Sequence, residues 1–226
     1  MKILVVVPAY NEEQALADTI HELTSSCPDI DYLIVNDGST DRTGDICDEL
    51  HLCHVDLPIN CGLASGVRTG MKYAMRNGYD AVVQFDADGQ HVPSYIPEMA
   101  RKMEETGCDI VLGSRYLAGG KAMGMRNMGS RIIAGLIRAA TRTTVTDPTC
   151  GLRMYGPKMI ETFAKGFDIE PEPDTLALLI RNGATICEIP ITVRERQGGE
   201  SYLKPLRAAR YMLRSVSSIV LFLWFR

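Results

Sequence analysis

Short apolar runs alternate with amphipathic stretches through the first half of the chain. The runs are five or six residues long and lie at residues 3–7, 32–36, 52–57, 81–85 and 109–113. Runs of this length and composition are typical of buried strands. Between them, apolar side chains recur every three or four positions, as they do on one face of a helix. This alternation predicts an α/β fold in which a mostly parallel sheet is covered by helices on both faces.

The predicted helices have identifiable apolar faces and boundary residues. The faces comprise Leu16, Ile20 and Leu23; Leu63, Val67, Met71 and Ala74; and Ile96, Met99 and Met103. Asn11 with Gln14 matches a capping box at the start of the first helix, and Asp41 or Thr43 is expected to cap the second. Gly107 is expected to end the helix before the fifth strand.

The alternation breaks after residue 114. Helical spacing predicts helices over residues 127–141 and 173–182, and residues 185–193 read as a further strand. Between those helices, residues 145–155 are rich in turn formers and then become extended. The second half of the chain therefore predicts fewer regular elements than the first.

Polar clusters follow four of the predicted strands: "PAYNE", "NDGSTD", "DADGQH" and "GSRY". In a parallel sheet these loops emerge from one edge, where α/β proteins bind their ligands. Surface loops are also polar for no reason other than exposure to solvent. We favour one shared site because four of the five loops that follow the predicted strands carry such clusters.

The third cluster places two carboxylates, Asp86 and Asp88, one residue apart at the end of a strand. Side chains of like charge at this spacing repel each other unless a cation lies beside them. Hard divalent cations such as Mg²⁺ take oxygen ligands and often share them with a phosphate. Gln90 adds a neutral oxygen two residues further on. The pattern favours a metal that holds a diphosphate, although a lone D-x-D also occurs by chance on surfaces.

Composition and charge exclude several classes of protein. The formal net charge is −4, so no general affinity for nucleic acid is expected. The seven cysteines are scattered without zinc-site spacing, and we expect reduced, mostly buried thiols of a cytosolic protein. The amino terminus lacks the apolar stretch of a signal peptide, and no segment reaches the roughly 20 apolar residues of a membrane span.

Six motifs together carry a resemblance to a known family. They are "VVPAYNEE", "IVNDGSTDRT", "FDADGQH", "GSRY", "TDPTCGLRMY" and "PITVRERQGGES". Residues 3–203 resemble the family 2 glycosyltransferases of the GT-A fold, in the branch of dolichyl-phosphate mannose synthases and polyprenyl-phosphate glycosyltransferases. The resemblance implies a GDP- or UDP-sugar donor, a polyprenyl phosphate acceptor, Mg²⁺ or Mn²⁺ as cofactor, and inversion at the sugar carbon.

The resemblance also implies roles for individual residues. The nucleotide-sugar site would comprise Pro8, Ala9, Tyr10, Glu12, Asn36, Asp37, Asp86 and Ala87. The metal would lie among Asp86, Asp88 and Gln90. The acceptor phosphate would be held by Arg115, Arg126, Ser130 and Arg196. The candidate catalytic residues are Asp88, Arg115 and Glu172.

Three features depart from the family pattern. Asn36 stands where many relatives have aspartate, which removes a charge but keeps the capacity to hydrogen bond. Cys150 stands where serine is common. Many lipid-phosphate relatives continue into membrane spans, whereas this sequence ends at Arg226.

Two more residues of the motifs have alternative readings. His91 lines the donor site or caps the helix that follows Val92. Arg153 binds a phosphate or pairs with Asp147.

The chemistry of the acceptor decides whether a general base is needed. A phosphate is already ionised at neutral pH, and arginine side chains bind it through paired donors. A saccharide hydroxyl would need a base, for which Glu172 is the first candidate and Asp174 the second. These acids equally suit the amino end of a helix, where negative charge is favourable.

The last 24 residues differ from the domain over residues 1–202. Residues 203–226 carry Lys204, Arg207, Arg210 and Arg214 on one helical face, opposite an apolar face, and then turn almost wholly apolar. A basic amphipathic helix of this kind is typical of a membrane surface. It would place the protein peripherally on the cytoplasmic face of the cell membrane. The alternatives are docking on the domain, an oligomer contact, or binding to a small membrane protein.

Other functions remain as rivals at this point. A saccharide hydroxyl acceptor would keep the transferase activity. A nucleotidyltransferase usually shows a glycine-rich amino-terminal loop with a basic residue, which "VVPAYNEE" lacks. A non-catalytic binding module would not need the D-x-D pair.

Overall fold

One sheet of seven strands forms the centre of the computed structural model. The structure describes residues 1–117, 125–166, 170–194, 214 and 216–221, with the backbone alone for residues 125–128. The strands are β1 (Ile3–Ala9), β2 (Asp31–Asn36), β3 (His54–Asp56), β4 (Ala81–Gln84), β5 (Ile110–Ser114), β6 (Arg153–Tyr155) and β7 (Ile186–Pro190). Their order is β3-β2-β1-β4-β6-β5-β7. All neighbouring pairs are parallel except those of β6, which is antiparallel to both β4 and β5.

Helices cover both faces of the sheet, as the sequence predicts. They are α1 (Leu16–Ser26), α2 (Thr43–Glu49), α3 (Leu63–Arg76), α4 (Tyr95–Thr106), α5 (Met125–Thr141), α6 (Pro157–Lys165) and α7 (Pro173–Arg181). Successive side chains of β1 point to opposite faces, so Val5 joins a core with α1, α2 and α4. Val6 joins a second core with α3, α5, α6 and α7. The predicted apolar faces are confirmed except at Leu63, which is 44% exposed.

The loop after β1 shows one wrong prediction of a cap. Asn11 has a positive φ of 56°, and its Oδ1 accepts the N–H of Thr40 at 2.8 Å. The helix begins only at Leu16, and no described side chain caps it. The Asn11 side chain therefore joins two loops and does not start a helix. For α2 the N-cap position is Arg42, so neither predicted cap occupies it, although Asp41 Oδ1 accepts the N–H of Thr43 at 2.9 Å.

Two elements of the second half were not predicted as such. Residues 153–155 were expected to be extended, but their insertion between β4 and β5 was not foreseen. Helix α6 was missed, although Pro157 at its start and the buried Met159, Ile160 and Phe163 are a helical signal. Because β6 runs antiparallel, its amino end lies at the carboxyl edge of the parallel strands. The turn that precedes β6 therefore enters the edge where the polar loops meet.

The described part of the carboxyl-terminal segment contacts the domain. Residues 216–221 are helical, and Ile219 is fully buried in the core cluster that contains Ile133 and Ile137. Arg214 Nη2 lies 2.7 Å from Glu170 Oε2. This short stretch therefore docks on the domain, which is one of the predicted alternatives. The other residues of the basic face lie outside the described residues. No helix in the described ranges has the length and apolarity that crossing a bilayer requires.

All seven cysteines lie in the described ranges, and none of them forms a disulfide. Four are buried, namely Cys27, Cys47, Cys108 and Cys150. The prediction of free and mostly buried thiols is confirmed.

Gly70 on α3 permits a close approach of this helix to β1. A Cβ at this position would lie 2.4 Å from both Cγ atoms of Val6. We expect Gly70→Ala to lower the free energy of unfolding by about 1–2 kcal/mol, because overpacking outweighs the gain in helix propensity. Urea unfolding followed by circular dichroism measures this change.

Gly135 on α5 offers a matched control. No atom of the described chain lies within 4 Å of a Cβ built there. Gly135→Ala should leave the stability unchanged or raise it by up to about 1 kcal/mol. Equal effects of the two substitutions would contradict the role of close packing at Gly70.

Candidate active site

The loops singled out in the sequence meet at one edge of the sheet. The N–H of Asp37, after β2, donates to Ala9 O at 2.8 Å, and the N–H of Phe85, after β4, donates to Val6 O at 3.0 Å. The N–H of Gly113 near the end of β5 donates to Leu152 O at 3.0 Å, in the segment that leads into β6. The carboxyl ends of the parallel strands and the amino end of β6 therefore form a common rim.

The loops after β1 and β2 are joined by hydrogen bonds. The N–H of Asn11 donates to Ser39 Oγ at 3.0 Å, and that of Glu12 donates to Thr43 Oγ1 at 2.9 Å. These bonds bring the predicted nucleotide-sugar residues Pro8, Ala9, Tyr10 and Glu12 beside Asn36 and Asp37. Tyr10 is 42% exposed, whereas Ala9 is buried. An aromatic ring at this exposure leaves a face on which a base can stack.

Asp37 and Asn36 are both buried and both bonded to neighbouring loops. The Asp37 carboxylate accepts the N–H groups of Cys61 and Gly62 at 2.8 and 2.7 Å, which fixes the start of α3. Asn36 Nδ2 donates to Asp56 Oδ1 at 2.7 Å. An aspartate at position 36 would place two carboxylate oxygens in contact, so the amide suits its neighbour Asp56 here.

The acidic loop after β4 presents Asp86 and Asp88 differently. The Asp86 side chain is 35% exposed, and its Oδ2 lies 3.3 Å from His91 Nε2. Asp88 is 4% exposed, and its Oδ1 accepts the N–H of Gln90 at 3.0 Å. Gln90 in turn donates from Nε2 to Arg194 O at 3.3 Å. The loop is therefore held in a fixed shape with Asp86 facing outward.

The donor set of this loop fits a hard divalent cation. Two carboxylates and one amide oxygen are the ligand types that Mg²⁺ and Mn²⁺ accept. The described residues include no group of three or more His, Cys, Asp and Glu side chains suited to one ion. A cation held by Asp86 and Asp88 would therefore take its other ligands from Gln90, water or a bound phosphate, which is usual for Mg²⁺.

His91 belongs to this loop and does not cap a helix. Helix α4 begins at Tyr95, after Ser94 at its N-cap position, so the predicted capping role is wrong. His91 is 5% exposed, and its Nδ1 has no hydrogen-bond partner among the described residues. Its other nitrogen faces Asp86, which places the ring at the acidic side of the site.

Gly151 brings the turn before β6 against the acidic loop. A Cβ at this position would lie 2.4 Å from Asp86 Oδ2 and 3.2 Å from His91 Nε2. Only glycine leaves room for this carboxylate. The turn over residues 147–151 is thereby in contact with the predicted metal site.

The other end of the same turn holds Arg115. Its Nε and Nη2 donate to the two oxygens of Asp147 at 2.6 and 2.8 Å, and Asp147 is fully buried. The hydrogen bonds from Asp147 raise the pKa of Arg115 above its ordinary value, so the guanidinium stays charged. Its side chain remains 38% exposed, and Nη1 makes no hydrogen bond to the described residues. Arg115 is thus a fixed cation with one open side.

Ser130 lies in the same network. Its hydroxyl accepts a hydrogen bond from Thr149 Oγ1 at 3.1 Å and lies 3.5 Å from Asp147 Oδ1. Thr149 Oγ1 also accepts from Arg115 Nη2 at 3.0 Å. Ser130 is 1% exposed, so it supports the network from below.

The other two predicted phosphate ligands, Arg126 and Arg196, stay predictions. The side chain of Arg126 and all of Arg196 lie outside the described residues. Arg194 is described, and its N–H donates to Gln90 O at 3.0 Å.

Arg153 contacts the backbone of the turn that carries Asp147. Its guanidinium donates to Cys150 O at 2.8 Å and Pro148 O at 2.9 Å, at 4% exposure. Arg153 therefore braces the carbonyl side of the turn. Burial raises the pKa of the Cys150 thiol to about 12, so this thiol is neutral near pH 7.

Glu172 lies at the N-cap position of α7, and Asp174 lies in its first turn. Burial raises the pKa of Tyr155, nearby Arg153 lowers it, and the charges of Glu172 and Asp86 raise it further. The charges of Glu172 and Asp86 therefore both act on the buried hydroxyl of β6. This position is consistent with both readings of Glu172, as a helix-terminal acid and as a base near the site.

Comparison with known proteins assigns the family. The sequence model described as glycosyl transferase family 2 matches residues 4–163. The chain belongs to this family. As a family 2 member it is a glycosyltransferase, as the motifs predicted.

The names of two curated relatives of this glycosyltransferase refer to lipid phosphates. A polyprenol monophosphomannose synthase of Mycolicibacterium smegmatis is 31% identical over 217 residues, covering 88% of this chain and 80% of that protein. An undecaprenyl-phosphate mannosyltransferase of Micrococcus luteus is 32% identical over 219 residues, covering 89% and 87%. The predicted branch of the family is confirmed by these relatives.

Solved structures confirm the GT-A fold of the family 2 domain. Glucosyl-3-phosphoglycerate synthase from Mycobacterium tuberculosis, crystallised with Mn²⁺, UDP-glucose and phosphoglyceric acid, aligns with a TM-score of 0.73 at 19% identity. The alignment covers 100% of this chain and 80% of that one. At this identity the similarity establishes the fold alone.

Sequence reasoning missed the residues that hold the basic side of the glycosyltransferase site. Asp147, Thr149 and Gly151 all belong to the quoted motif "TDPTCGLRMY", yet only Asp147 was considered, as a partner of Arg153. The signal that could have been used was Asp147, an acid in a turn-rich segment 32 residues after Arg115. Assigning that acid to Arg115 requires the antiparallel placement of β6, which the pattern does not reveal.

Proposed function

We propose that this glycosyltransferase moves a sugar, with inversion, from a GDP- or UDP-sugar to a polyprenyl phosphate, using Mg²⁺ or Mn²⁺. One observation carries the proposal: a single turn, residues 147–151, contacts the acidic loop through Gly151 and fixes the cation Arg115 through Asp147. A site for a diphosphate-bound metal and a site for a second anion are therefore adjacent. The names of the lipid-phosphate relatives support this acceptor class.

On the donor side, the chain's own residues bind and orient the nucleotide. The loop with Asp37 and the exposed ring of Tyr10 flank the nucleoside, while Asp86, Asp88 and Gln90 would hold the cation at the diphosphate. A bound divalent cation stabilises the negative charge that develops on the departing diphosphate. The fixed shape of the acidic loop means that no reorganisation is needed as the charge develops.

On the acceptor side, Arg115 binds and orients the phosphate. An oxygen of the ionised phosphate forms the new bond to the anomeric carbon while the bond to the diphosphate oxygen breaks. The electron pair of the broken bond stays with the diphosphate, and no proton has to be removed. The guanidinium holds the nucleophile in place and screens the repulsion between the two anions.

We place the reaction at the cytoplasmic face of the membrane, with peripheral binding through residues 203–226. The basic composition of this segment supports electrostatic contact with anionic lipids. Val220 and Leu221 are 39% and 55% exposed, so part of its described stretch is available to a lipid surface or to a small membrane protein.

A transfer assay tests the proposed function directly. The purified protein is incubated with radiolabelled GDP- and UDP-sugars, polyprenyl phosphate and Mg²⁺ or Mn²⁺, and the label extracted into organic solvent is counted. We expect lipid-extractable label with one donor class and its loss with a chelator. Label that appears only on a saccharide, with none in the lipid fraction, would overturn the lipid-phosphate acceptor.

Glu172 separates the two acceptor classes. If the acceptor is a phosphate, Glu172→Gln should change kcat by less than about three-fold, because the nucleophile is already ionised. If the acceptor is a hydroxyl, loss of the base should lower kcat by about 10²–10⁴-fold. Steady-state kinetics at saturating donor measures this difference, and Asp174→Gln tests the second candidate base in the same way.

A further inference from the structure

Glu188 on β7 receives a set of hydrogen bonds from the turn that carries Asp147. Its Oε1 accepts the N–H of Thr146 at 2.9 Å, the hydroxyl of Thr146 at 2.9 Å and the N–H of Asp147 at 3.1 Å. Its Oε2 lies 3.0 Å from the same Thr146 N–H. Hydrogen bonds to an ionised acceptor are about twice as strong as neutral ones. One carboxylate on an edge strand therefore anchors the start of the turn.

The same carboxylate also reaches the strand end that carries Arg115. Ser114 directly precedes Arg115, is fully buried, and its Oγ lies 2.6 Å from Thr146 Oγ1. Because the Thr146 hydroxyl proton is directed to Glu188, Ser114 donates to Thr146 in this contact. Ser114 Oγ in turn accepts the N–H of Tyr116 at 3.3 Å. Through these hydrogen bonds, Glu188 is linked to the residues directly before and directly after Arg115 in the chain.

The two links converge on one side chain. From one direction Glu188 fixes Asp147, which holds the Arg115 fork through both of its oxygens. From the other direction it fixes the backbone from which Arg115 extends, through Thr146 and Ser114. Asp147 Oδ1 also lies 3.2 Å from Thr149 Oγ1, which connects to Ser130. A displacement of the turn would shift Arg115 and Ser130 together.

We propose that Glu188 is a positioning residue of the acceptor side: it sets the direction of Arg115 toward an anionic acceptor group, and the buried Ser130 supports the same network through Thr149. This inference rests on the proposed function, in which Arg115 binds the acceptor phosphate. Glu188 acts through other residues and does not touch the acceptor. A glutamine could not substitute fully, because its NH₂ group would face the N–H of Thr146 where Oε2 now lies.

The donor side should be insensitive to Glu188. Its bonds are to residues 146 and 147, at the start of the turn, whereas Gly151 at the far end contacts Asp86. Arg153 braces the far end separately, through the carbonyl groups of Pro148 and Cys150. The expected signature is a change in the KM for the acceptor without a matching change in the KM for the donor.

Kinetics of Glu188→Ala and Glu188→Gln test the positioning role. A misplacement of about 1 Å can cost up to about 10²-fold, so we expect Glu188→Ala to raise the KM for polyprenyl phosphate at least about ten-fold. Glu188→Gln keeps one acceptor oxygen and should raise it less. The KM for the sugar nucleotide should stay within about two-fold in both variants, because the acidic loop keeps its own supports.

Glu161→Gln is the matched control, since Glu161 is an exposed acid on α6 that pairs only with Lys165 in the described chain. It should leave both KM values unchanged. Equal changes in donor and acceptor KM for Glu188→Ala, or no change in either, would overturn the inference. If the wild-type protein transfers sugar to the lipid and Glu188→Ala has the same kinetics, the positioning role of Glu188 is contradicted. The proposed function then stays in place.

Hydrogen exchange of backbone amides tests the positioning role of Glu188 without any substrate. The N–H groups of Thr146 and Asp147 donate to Glu188, and that of Arg115 donates to Asp147 Oδ2 at 3.2 Å. In Glu188→Ala all three should exchange faster, while amides of β1 keep their rates. Unchanged exchange at Arg115 would overturn the positioning role even if the wild-type protein transferred no sugar to the lipid.

Discussion

Replacing Asp88 with asparagine should lower kcat for sugar transfer by at least about 10²-fold, since in the proposed function the variant loses a charged ligand of the cation that stabilises the departing diphosphate. The Asp88 carboxylate is almost fully buried, and its Oδ1 accepts the N–H of Gln90. Asparagine can keep this hydrogen bond, so the loop should retain its shape. The substitution therefore removes the charge without removing the support of the loop. Steady-state rates at saturating donor and metal measure the effect.

Binding and stability measurements separate this effect from unfolding. Calorimetric titration of nucleoside diphosphate in the presence of Mn²⁺ should show weaker binding to Asp88→Asn, with the melting temperature of the free protein close to that of wild type. Asp29→Asn, which changes an exposed acid before β2, serves as the control for loss of one negative charge. Wild-type turnover and metal-dependent binding in Asp88→Asn would remove the basis of the donor site.

The first half of the fold was predictable because each strand there is a short apolar run followed by a polar loop. Buried parallel strands need apolar side chains on both faces, so β1, β2 and β4 stand out from their surroundings. The carboxyl ends of such strands share one edge by topology alone. This is why Asp37 and Asp86 could be assigned to one rim from the pattern of the sequence.

The second half was less predictable because its strands depend on tertiary pairing. Strand β6 has three residues, and one of them is the buried Arg153, whose guanidinium is satisfied by two carbonyl groups of the preceding turn. No periodicity announces a strand of this length. Asn11 was misassigned for a related reason: a capping sequence was present, but the side chain found a better partner in Thr40, a residue distant in sequence.

In the candidate site, too, the sequence indicated which residue types matter but not which residues they contact. The acids that follow β4 were identifiable because two carboxylates one residue apart at a strand end repel each other unless a cation lies beside them. Asp147 was not, because its meaning depends on which cation it faces. A lone acid in a turn-rich segment is compatible with many partners, and only the placement of β6 beside β5 brings it to Arg115.

Exchanging Arg115 for methionine should both weaken acceptor binding and destabilise the fold. The substitution leaves Asp147, which is fully buried, without its cation. Removing one partner of a buried ion pair typically costs about 3–5 kcal/mol, and the partial exposure of Arg115 places this case at the lower end, about 3 kcal/mol. Chemical unfolding measures the stability, and the KM for polyprenyl phosphate, expected to rise at least about ten-fold, measures the function.

A second substitution separates these two consequences. In the double variant Arg115→Met with Asp147→Asn, the buried charge is gone, so a large part of the lost stability should return. Acceptor binding should not return, because the guanidinium that we propose as the phosphate contact is still absent. Recovery of both stability and transfer in the double variant would show that Arg115 only neutralises Asp147. Recovery of stability alone would mean that the ion pair holds Arg115 in place and that the acceptor is bound by the open side of the guanidinium.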